Sequence, residues 1–475
     1  MLTPHTEILR LARSGSSERA WALMAQHGLL DSDSDPRALT LQARLIKDGA
    51  KRARTRAERT RLFAQSAQLY ANAARLNGSS YPLVNAASLS LFAGKPAQAR
   101  RFAADVLKLI EADPGEGETP YWREATRAEA LLLLDREVEA RVALSKAIAL
   151  QPHAWEDHAA TIGQFVLIAA EKGWNAGWLD VHRPPPSVHF SGIVGLAANA
   201  MDVRQALARW IAGERPGFAY GALAAGADLL FAEAFIAWRD SECPAAELHV
   251  VLPYPVDQFR QISVAAFGDH WLLRFDSALA QATSTTVYGL DDPSLPLAVD
   301  YADRVAMGRA LRNAAALASQ ACAVTVVGAG ERLRPQLAGW RDAGRTLTII
   351  EGKRGRRSEP APTCRSLKTL VWAGDGDWSA HEDLLVAGKW ARELSGAKTG
   401  VGVALVVTPC DTDAPPAALL QRAAALAAVA VPTTVVSDDA TAMALLSAGW
   451  SSPVEELGEL LLPSGLEPVW SVFKA

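Results

Sequence analysis

Cysteine is scarce in this chain. Four residues out of 475, Cys243, Cys322, Cys364 and Cys410, lie far apart with no CxxC pattern and no His pair at metal-ligand spacing. A disulfide scaffold and a structural zinc site are therefore excluded as organising features. Long apolar runs are also missing: none reaches ~18 residues free of charge, so no membrane span is expected. The opening MLTPHTEILRLARSG lacks the basic-then-apolar order of a secretory signal. Nor is there an excess of one charge, since 48 Lys and Arg stand against 52 Asp and Glu for a formal charge of −4. A dedicated nucleic-acid binder needs a strongly basic footprint. The expectation is a cytoplasmic protein with neither nucleic-acid nor membrane partners. What is present is length enough for about three domains at ~150 residues each. Hydrophobic residues at 49% and charged residues at 21% are near the globular average, against wholesale disorder or coiled coil.

The first domain, 1–181, reads as all-α. Apolar residues recur at three- and four-residue steps in an Ala-, Leu-, Arg- and Glu-rich background. Leu83, Ala87, Leu91 and Phe92 form one stripe, Gly94 closes that helix, and Ala99, Ala103, Val106 and Leu107 continue on the next. A second pair carries Ala125, Ala128 and Leu132, a turn at Asp135–Arg136, then Ala140, Ala143, Leu144 and Ala147. Helix hairpins stacked this way predict an irregular solenoid of tetratricopeptide type, with the polar stretch 113–119 as an inter-repeat loop. Trp122, Trp155, Trp174 and Trp178 are expected to fill its core or its junction with the next domain. The basic run 51–61 (KRARTRAERTR) reads as a solvated helix face interleaved with Glu58.

After Pro184, Pro185 and Pro186 the period changes. Strand-like runs at 187–195, 247–254, 285–290, 323–330 and 346–350 alternate with helical ones at 201–213, 226–239, 257–264, 270–282, 300–320 and 332–343. Such alternation predicts a mostly parallel sheet covered on both faces over 187–350. The charged, Pro-rich stretch 351–365, with Lys353, Arg354, Arg356 and Arg357, reads as a solvated linker. Residues 366–475 repeat the alternation on a smaller scale, with strands at 367–374, 401–409, 433–437 and 468–475 and helices at 379–395, 415–429 and 438–449.

The segments HFSG (189–192), YGALAAGADLLFAEA (220–234), ELHVVLPYPVDQF (247–259) and VDYADRVAMGRAL (299–311) resemble the SLOG group of Rossmann-like domains. That group includes cytokinin-activating phosphoribohydrolase-like and DprA-like proteins. The helical block resembles the tetratricopeptide-like, TRAF-binding-type region that precedes such domains in bacterial signalling proteins. The C-terminal third resembles a class III nucleotidyl cyclase domain, through LKTLVWAGDGDWS, VGVALVVTP, LLQRAAALAAVAVPTTVVSDDATAMAL and VEELGELLLPSGLEPVWSVFKA. The implied fold class is multi-domain: an α-helical solenoid, an α/β Rossmann-like SLOG domain, then a small ferredoxin-like α/β domain of degenerate cyclase type.

In the SLOG-like domain the resemblance implies a nucleotide or nucleotide-derived ligand over the strand carboxyl ends. Ser191, Gly192 and Gly195 would bring backbone amides to a phosphate. Tyr220, Gly221 and Gly226 belong to a second loop opening a helix, Asp228 and Glu233 match the acidic positions, and Gly328 and Gly330 stand in a third loop. The same glycines also suit tight turns, and Asp228 also suits a helix N-terminus. Ile193, Ala222 and Val326–Val327 replace His, Ser and Trp-Asp of relatives, so phosphoribohydrolase chemistry is not expected. His189 and His249 read as buried, satisfied imidazoles.

A class III cyclase needs two carboxylates for two metal ions. Here Gly374 aligns with the first of them, with Asp375 and Asp377 alongside, and the hairpin bearing the second is absent from 389–398. Gln421 aligns with the transition-state Asn and Ala425 with the phosphate-binding Arg. The expectation is a pseudo-cyclase, with no metal and no catalytic residue assigned. The whole chain then reads as a non-catalytic signalling adaptor. A protein partner is expected on the helical repeats, and a second copy or an intact cyclase on the C-terminal domain. The rival readings are a SLOG-type hydrolase using Asp228 or Glu233, a cyclase with displaced metal ligands, and a pure scaffold.

Overall fold

The computed structural model describes residues 3–13, 17–112, 119–196, 200–288, 296–355, 366–410, 415 and 417–474. The chain divides into two compact units, Met1–Pro184 and Pro185–Ala475. The inter-repeat loop expected at 113–119 falls almost wholly outside the described residues.

The described residues of the first unit hold α1 (Pro4–Arg13), α2 (Ser17–Gln26), α3 (Pro36–Arg52), α4 (Arg56–Asn77), α5 (Ser80–Phe92), α6 (Pro96–Ala112), α7 (Pro120–Leu133), α8 (Glu137–Leu150) and α9 (Trp155–Lys172). Their boundaries follow from local chemistry. Asp35 accepts from the Arg37 amide ahead of α3, with Pro36 at its first position. Thr55 accepts from the Glu58 amide ahead of α4, and Gly78 ends that helix at φ 67°. Thr119 and Pro120 start α7 the same way. Because Thr55 caps a new helix, the basic run is not one helix face but crosses the α3–α4 turn. Asp135 takes φ 64° between α7 and α8. Ion pairs with Arg100 of α6 and Lys172 of α9 hold it there. The expected stripes are interior: Ala87, Leu91, Ala99, Ala103, Val106 and Leu107 share one core with Ala128, Leu132, Ala140, Ala143 and Leu144. Helices pack as antiparallel neighbours, α3 on α4, α5 on α6 and α7 on α8, and α5, α7 and α9 also touch one another.

The described residues of the second unit form two six-stranded sheets. The first carries β1 (Ser187–Gly192), α10 (Met201–Glu214), β2 (Phe218–Gly221), α11 (Ala227–Glu242), β3 (Glu247–Leu252), α12 (Val256–Phe259), α13 (Leu272–Ala280), β4 (Ser284–Val287), α14 (Pro296–Ala316), β5 (Ala321–Gly328), α15 (Pro335–Asp342) and β6 (Thr346–Gly352). Its order is β4-β3-β2-β1-β5-β6, and every pairing is parallel. β2 was expected to be part of a loop; four residues between two turns are too short for a visible period. The strand expected at 285–290 ends at Val287, and 289–290 lie outside the described residues. β6 runs through Gly352, so the expected linker loses its first two residues. Arg354 is no solvated linker residue either: it forks onto Glu331 at 2.9 and 2.8 Å and donates to the Val194 carbonyl. The rest of the linker, 356–365, lies outside the described residues.

The second sheet follows as β7 (Ser366–Ala373), β8 (Trp378–His381), α16 (Leu384–Ala397), β9 (Val403–Cys410), α17 (Ala417–Val429), β10 (Thr434–Asp438), α18 (Asp439–Ala448), β11 (Glu455–Leu462) and β12 (Gly465–Lys474). Its order is β11-β12-β10-β9-β7-β8. Only the β9–β10 pairing is parallel. A hairpin, three single helices alternating with two strands, and a closing hairpin are not the βαββαβ order of a ferredoxin-like domain, which corrects that expectation. The cause is local: Gly374, Asp375, Gly376 and Asp377 turn β7 back into β8, with Gly376 at φ 99°. Residues 378–381 therefore pair as a strand where a helix was expected. The two sheets are held together through α14 and α18. A Cβ on Gly308 would lie 2.0 Å from the Met443 carbonyl oxygen, so only Gly permits this backbone approach. Arg309 beside it bonds Asp439 at 2.6 Å.

Candidate functional site

The strand order of the first sheet reverses between β1 and β5, the topological switch point where open α/β sheets bind ligands beyond their carboxyl ends. Ser191 and Gly192 end β1 and Gly328 ends β5 at this point. Five of the loop amides, however, are consumed internally. Ile193 N–H donates to Val326, Gly195 to Ala225, Ala225 to Ser263 and Ala227 to Ile193. The Ala224 amide goes to Asp228. The glycines serve close packing instead. A Cβ on Gly192 would meet that of Ala227 at 2.4 Å, and one on Gly221 the Phe190 carbonyl at 2.4 Å. Gly226, at φ 123°, would press on the Ile193 carbonyl at 2.7 Å, and Gly328 faces the Glu331 carboxylate. Gly195 and Gly330 take positive φ in turns. Ile193, Leu196, Leu223 and Val326, all buried, belong to the apolar core of this domain.

Asp228 is the exception in this crevice. It is buried with Oδ1 unpartnered, and burial pushes its carboxyl up to about 8. A polar layer lies near it that the sequence did not disclose. His189 sits 3.1 Å from Asp303, which also receives Arg334 and Gln336 at 3.0 Å each. Burial is opposed at Asp303 by Arg334, which holds its carboxyl well below the ordinary range. His189 is thus buried but poorly satisfied: Nδ1 meets the Tyr220 carbonyl at 3.2 Å, while Nε2 lacks aligned hydrogen-bond geometry. Tyr220 is buried and stacks on His249, 4.7 Å between centroids. Glu233 does not join the crevice, because Arg204 and Arg274 clamp it on the outside of α11.

In the second sheet the Gly374 amide donates to the Gly402 carbonyl, just ahead of β9. The carboxylates of Asp375 and Asp377 both pair with the Lys398 ammonium, at 2.6 and 2.5 Å. A lysine thus stands where displaced metal ligands would have to meet their ions. Gln421 is exposed on α17 and Ala425 packs against the sheet core. No group of three or more His, Cys, Asp or Glu able to hold a metal occurs among the described residues.

An open cavity lies elsewhere, in the helical unit. It measures about 190 Å³ and is walled by α3, α5, α7 and α9, with Tyr70 of α4 behind. Arg44, Lys47, Asp48 and Lys51 recur on one face of α3 at helical spacing. Tyr81 and Asn85 come from α5, Trp122 and Glu129 from α7, and Gln164 from α9. Trp122, expected as core filling, is a wall of this cavity. Lys47 donates to Asn85 Oδ1 at 3.0 Å. Glu129 accepts from Ser88, at 2.5 Å, and from Gln164, at 3.1 Å. Burial lowers the Lys47 amine to about 8 and raises the Glu129 carboxyl. The two charges sense each other, yet no ion pair joins them. Arg44 Nε has no hydrogen-bond partner, the Asp48 carboxylate standing 4.0 Å away. The signal available in the sequence was polar residues inside apolar stripes: Asn85 between Leu83 and Ala87, and Glu129 between Ala128 and Ala130.

Comparison with known families bears on this region. A family model described as Tetratricopeptide Repeats-Sensor matches residues 5–90, which span α1 to α4 and most of α5. The N-terminal region is thus of tetratricopeptide type, a repeat that commonly mediates protein–protein interaction. No curated protein and no solved structure matches the chain. No helix among the described residues is long and apolar enough to cross a membrane.

Proposed function

We propose that the chain is a non-catalytic sensor and adaptor whose helical repeats receive the signal. The observation that carries this is the cavity lined by α3, α5, α7 and α9. It combines two opposite charges, Lys47 and Glu129, that no ion pair joins, with aromatic walls, a composition suited to a small-molecule site. The similarity of residues 5–90 to a sensor-type repeat family supports the same reading. The remaining outer surface of the repeats is the proposed place for a protein partner. The two sheets of the second unit then act as the responding body, α18 of the C-terminal sheet being already engaged by α14. A cyclase-type pairing with a second copy or an intact cyclase would have to use another face of that sheet.

A second reading, nucleotide sensing at the switch point, is favoured by one observation, the buried and unpartnered Oδ1 of Asp228. The same experiment separates the two. The full chain is melted with α-amino acids, short peptides, NAD, nucleoside monophosphates and cyclic ADP-ribose-like compounds, as native protein, Ala160→Trp at the cavity rim, and Asp228→Asn. A stabilisation lost in Ala160→Trp supports the helical sensor. One lost only in Asp228→Asn moves sensing to the switch point. No shift with any compound defeats both.

A further inference from the structure

The structure assigns a ligand class to the helical cavity: resting on the sensor reading above, we infer that it takes a small zwitterion with an apolar or aromatic side chain, of α-amino-acid type. Two opposite charges face this cavity without touching. Lys47 is held by the neutral oxygen of Asn85, and Glu129 by the neutral donors of Ser88 and Gln164. A buried pair of opposite charges that served the fold alone would be expected to close into a direct ion pair, since separation leaves each desolvated. Here both line one cavity that is partly open to solvent. A ligand carboxylate against Lys47 and a ligand ammonium against Glu129 would restore to each the partner that the fold withholds.

Other ligand chemistries fit less of the site. An anion alone would satisfy Lys47, and Arg44 beside it, but would face the Glu129 carboxylate. A cation alone would meet Glu129 and Asp48 and be repelled by Lys47, Arg44 and Lys51. The remaining walls specify the rest of the ligand. Trp122, Tyr70, Tyr81 and Val84 offer apolar and aromatic surface. The volume, about 190 Å³, exceeds the ~150 Å³ known to hold a benzene ring, so a ring-sized side chain is accommodated.

The test is titration calorimetry of the full chain with each of the twenty common α-amino acids. The best binder is then compared with its decarboxylated amine and its deaminated acid. Each truncated analogue is expected to bind about tenfold or more weakly. Glu129→Gln keeps the Ser88 and Gln164 hydrogen bonds, and should erase the preference over the deaminated acid while keeping that over the amine. Lys47→Met should do the reverse. Should a variant fail to melt cooperatively, the analogue series on the native chain decides alone. If no amino acid binds but a nucleotide or peptide does, with its binding lost in Ala160→Trp, the zwitterion assignment falls and the sensor reading stands. If nothing binds the helical unit, both fall.

Discussion

The helical cavity and the α/β switch point are two concave places built on opposite principles. At the switch point the glycine-rich loops supply amides, but those of Ile193, Ala224, Ala225, Ala227 and Gly195 already have a backbone or Asp228 acceptor, and Ile193, Leu196 and Val326 are buried in the domain core. In the helical unit the cavity is lined by helices. Side chains from helices far apart in sequence leave unjoined charges around open volume. A glycine pattern thus marks where backbones come close, and only the hydrogen-bond accounting shows whether closeness serves a ligand or the fold.

Substitution at the switch-point glycines would break this contrast most forcefully. Gly192→Ala and Gly221→Ala each place a Cβ within 2.4 Å of neighbouring atoms, Ala227 in one case and the Phe190 backbone in the other. Each is expected to cost about 2–3 kcal/mol in denaturant unfolding. If these glycines instead served to admit a phosphate, the same changes would leave stability intact and abolish nucleotide binding.

Much of the fold was legible because its signals were local. The stripes of α5 to α8 repeat at helical spacing, and the interior strand β5 is a continuous apolar run, AVTVVG. What was hidden depended on pairing at a distance. Phe218–Gly221 becomes a strand because β1 and β3 flank it. Trp378–His381 becomes one because the GDGD turn returns it onto β7. The candidate site followed the same division. Gly192, Gly221 and Asp228 were visible as a motif, but their amide partners were not. Lys47, Asn85, Glu129 and Gln164 come from four helices and carry no shared spacing, so only the three-dimensional fold brings them together.

Asp228 tests the crevice more gently. Its carboxyl has an ordinary value of 3.8 and is pushed up to about 8 in the folded chain. A raised carboxyl favours the fold in its neutral form. That contribution is complete below pH 3.8 and is lost as pH rises toward 8. Asp228→Asn keeps an acceptor for the Ala224 amide and removes the titration. At pH 8 it is expected to stabilise the protein by about 2 kcal/mol, with little gain at pH 4. Thermal melts at both pH values check it; equal effects would show that the carboxylate is solvated or ligand-ready rather than sealed.

The smallest effect, and the sharpest on the helical side, is the pH dependence of Lys47. Its amine is depressed from 10.5 to about 8 by burial. The folded chain therefore gains stability as pH climbs from about 8 toward 10.5, where the unfolded chain still binds the proton and the folded one does not. A carboxylate ligand depends on the opposite protonation state, since it binds the ammonium form. Its affinity should be level below pH 8 and weaken above it, by up to about tenfold per pH unit, with proton uptake on binding near pH 8. Calorimetry in buffers of different ionisation enthalpy measures that uptake directly. Stability and affinity running in opposite directions over the same pH interval would mark Lys47 as a group that the fold tolerates at a cost and the ligand requires. Affinity unchanged up to pH 10 would return Lys47 to the interior as a structural residue and erase the difference between the two concave sites.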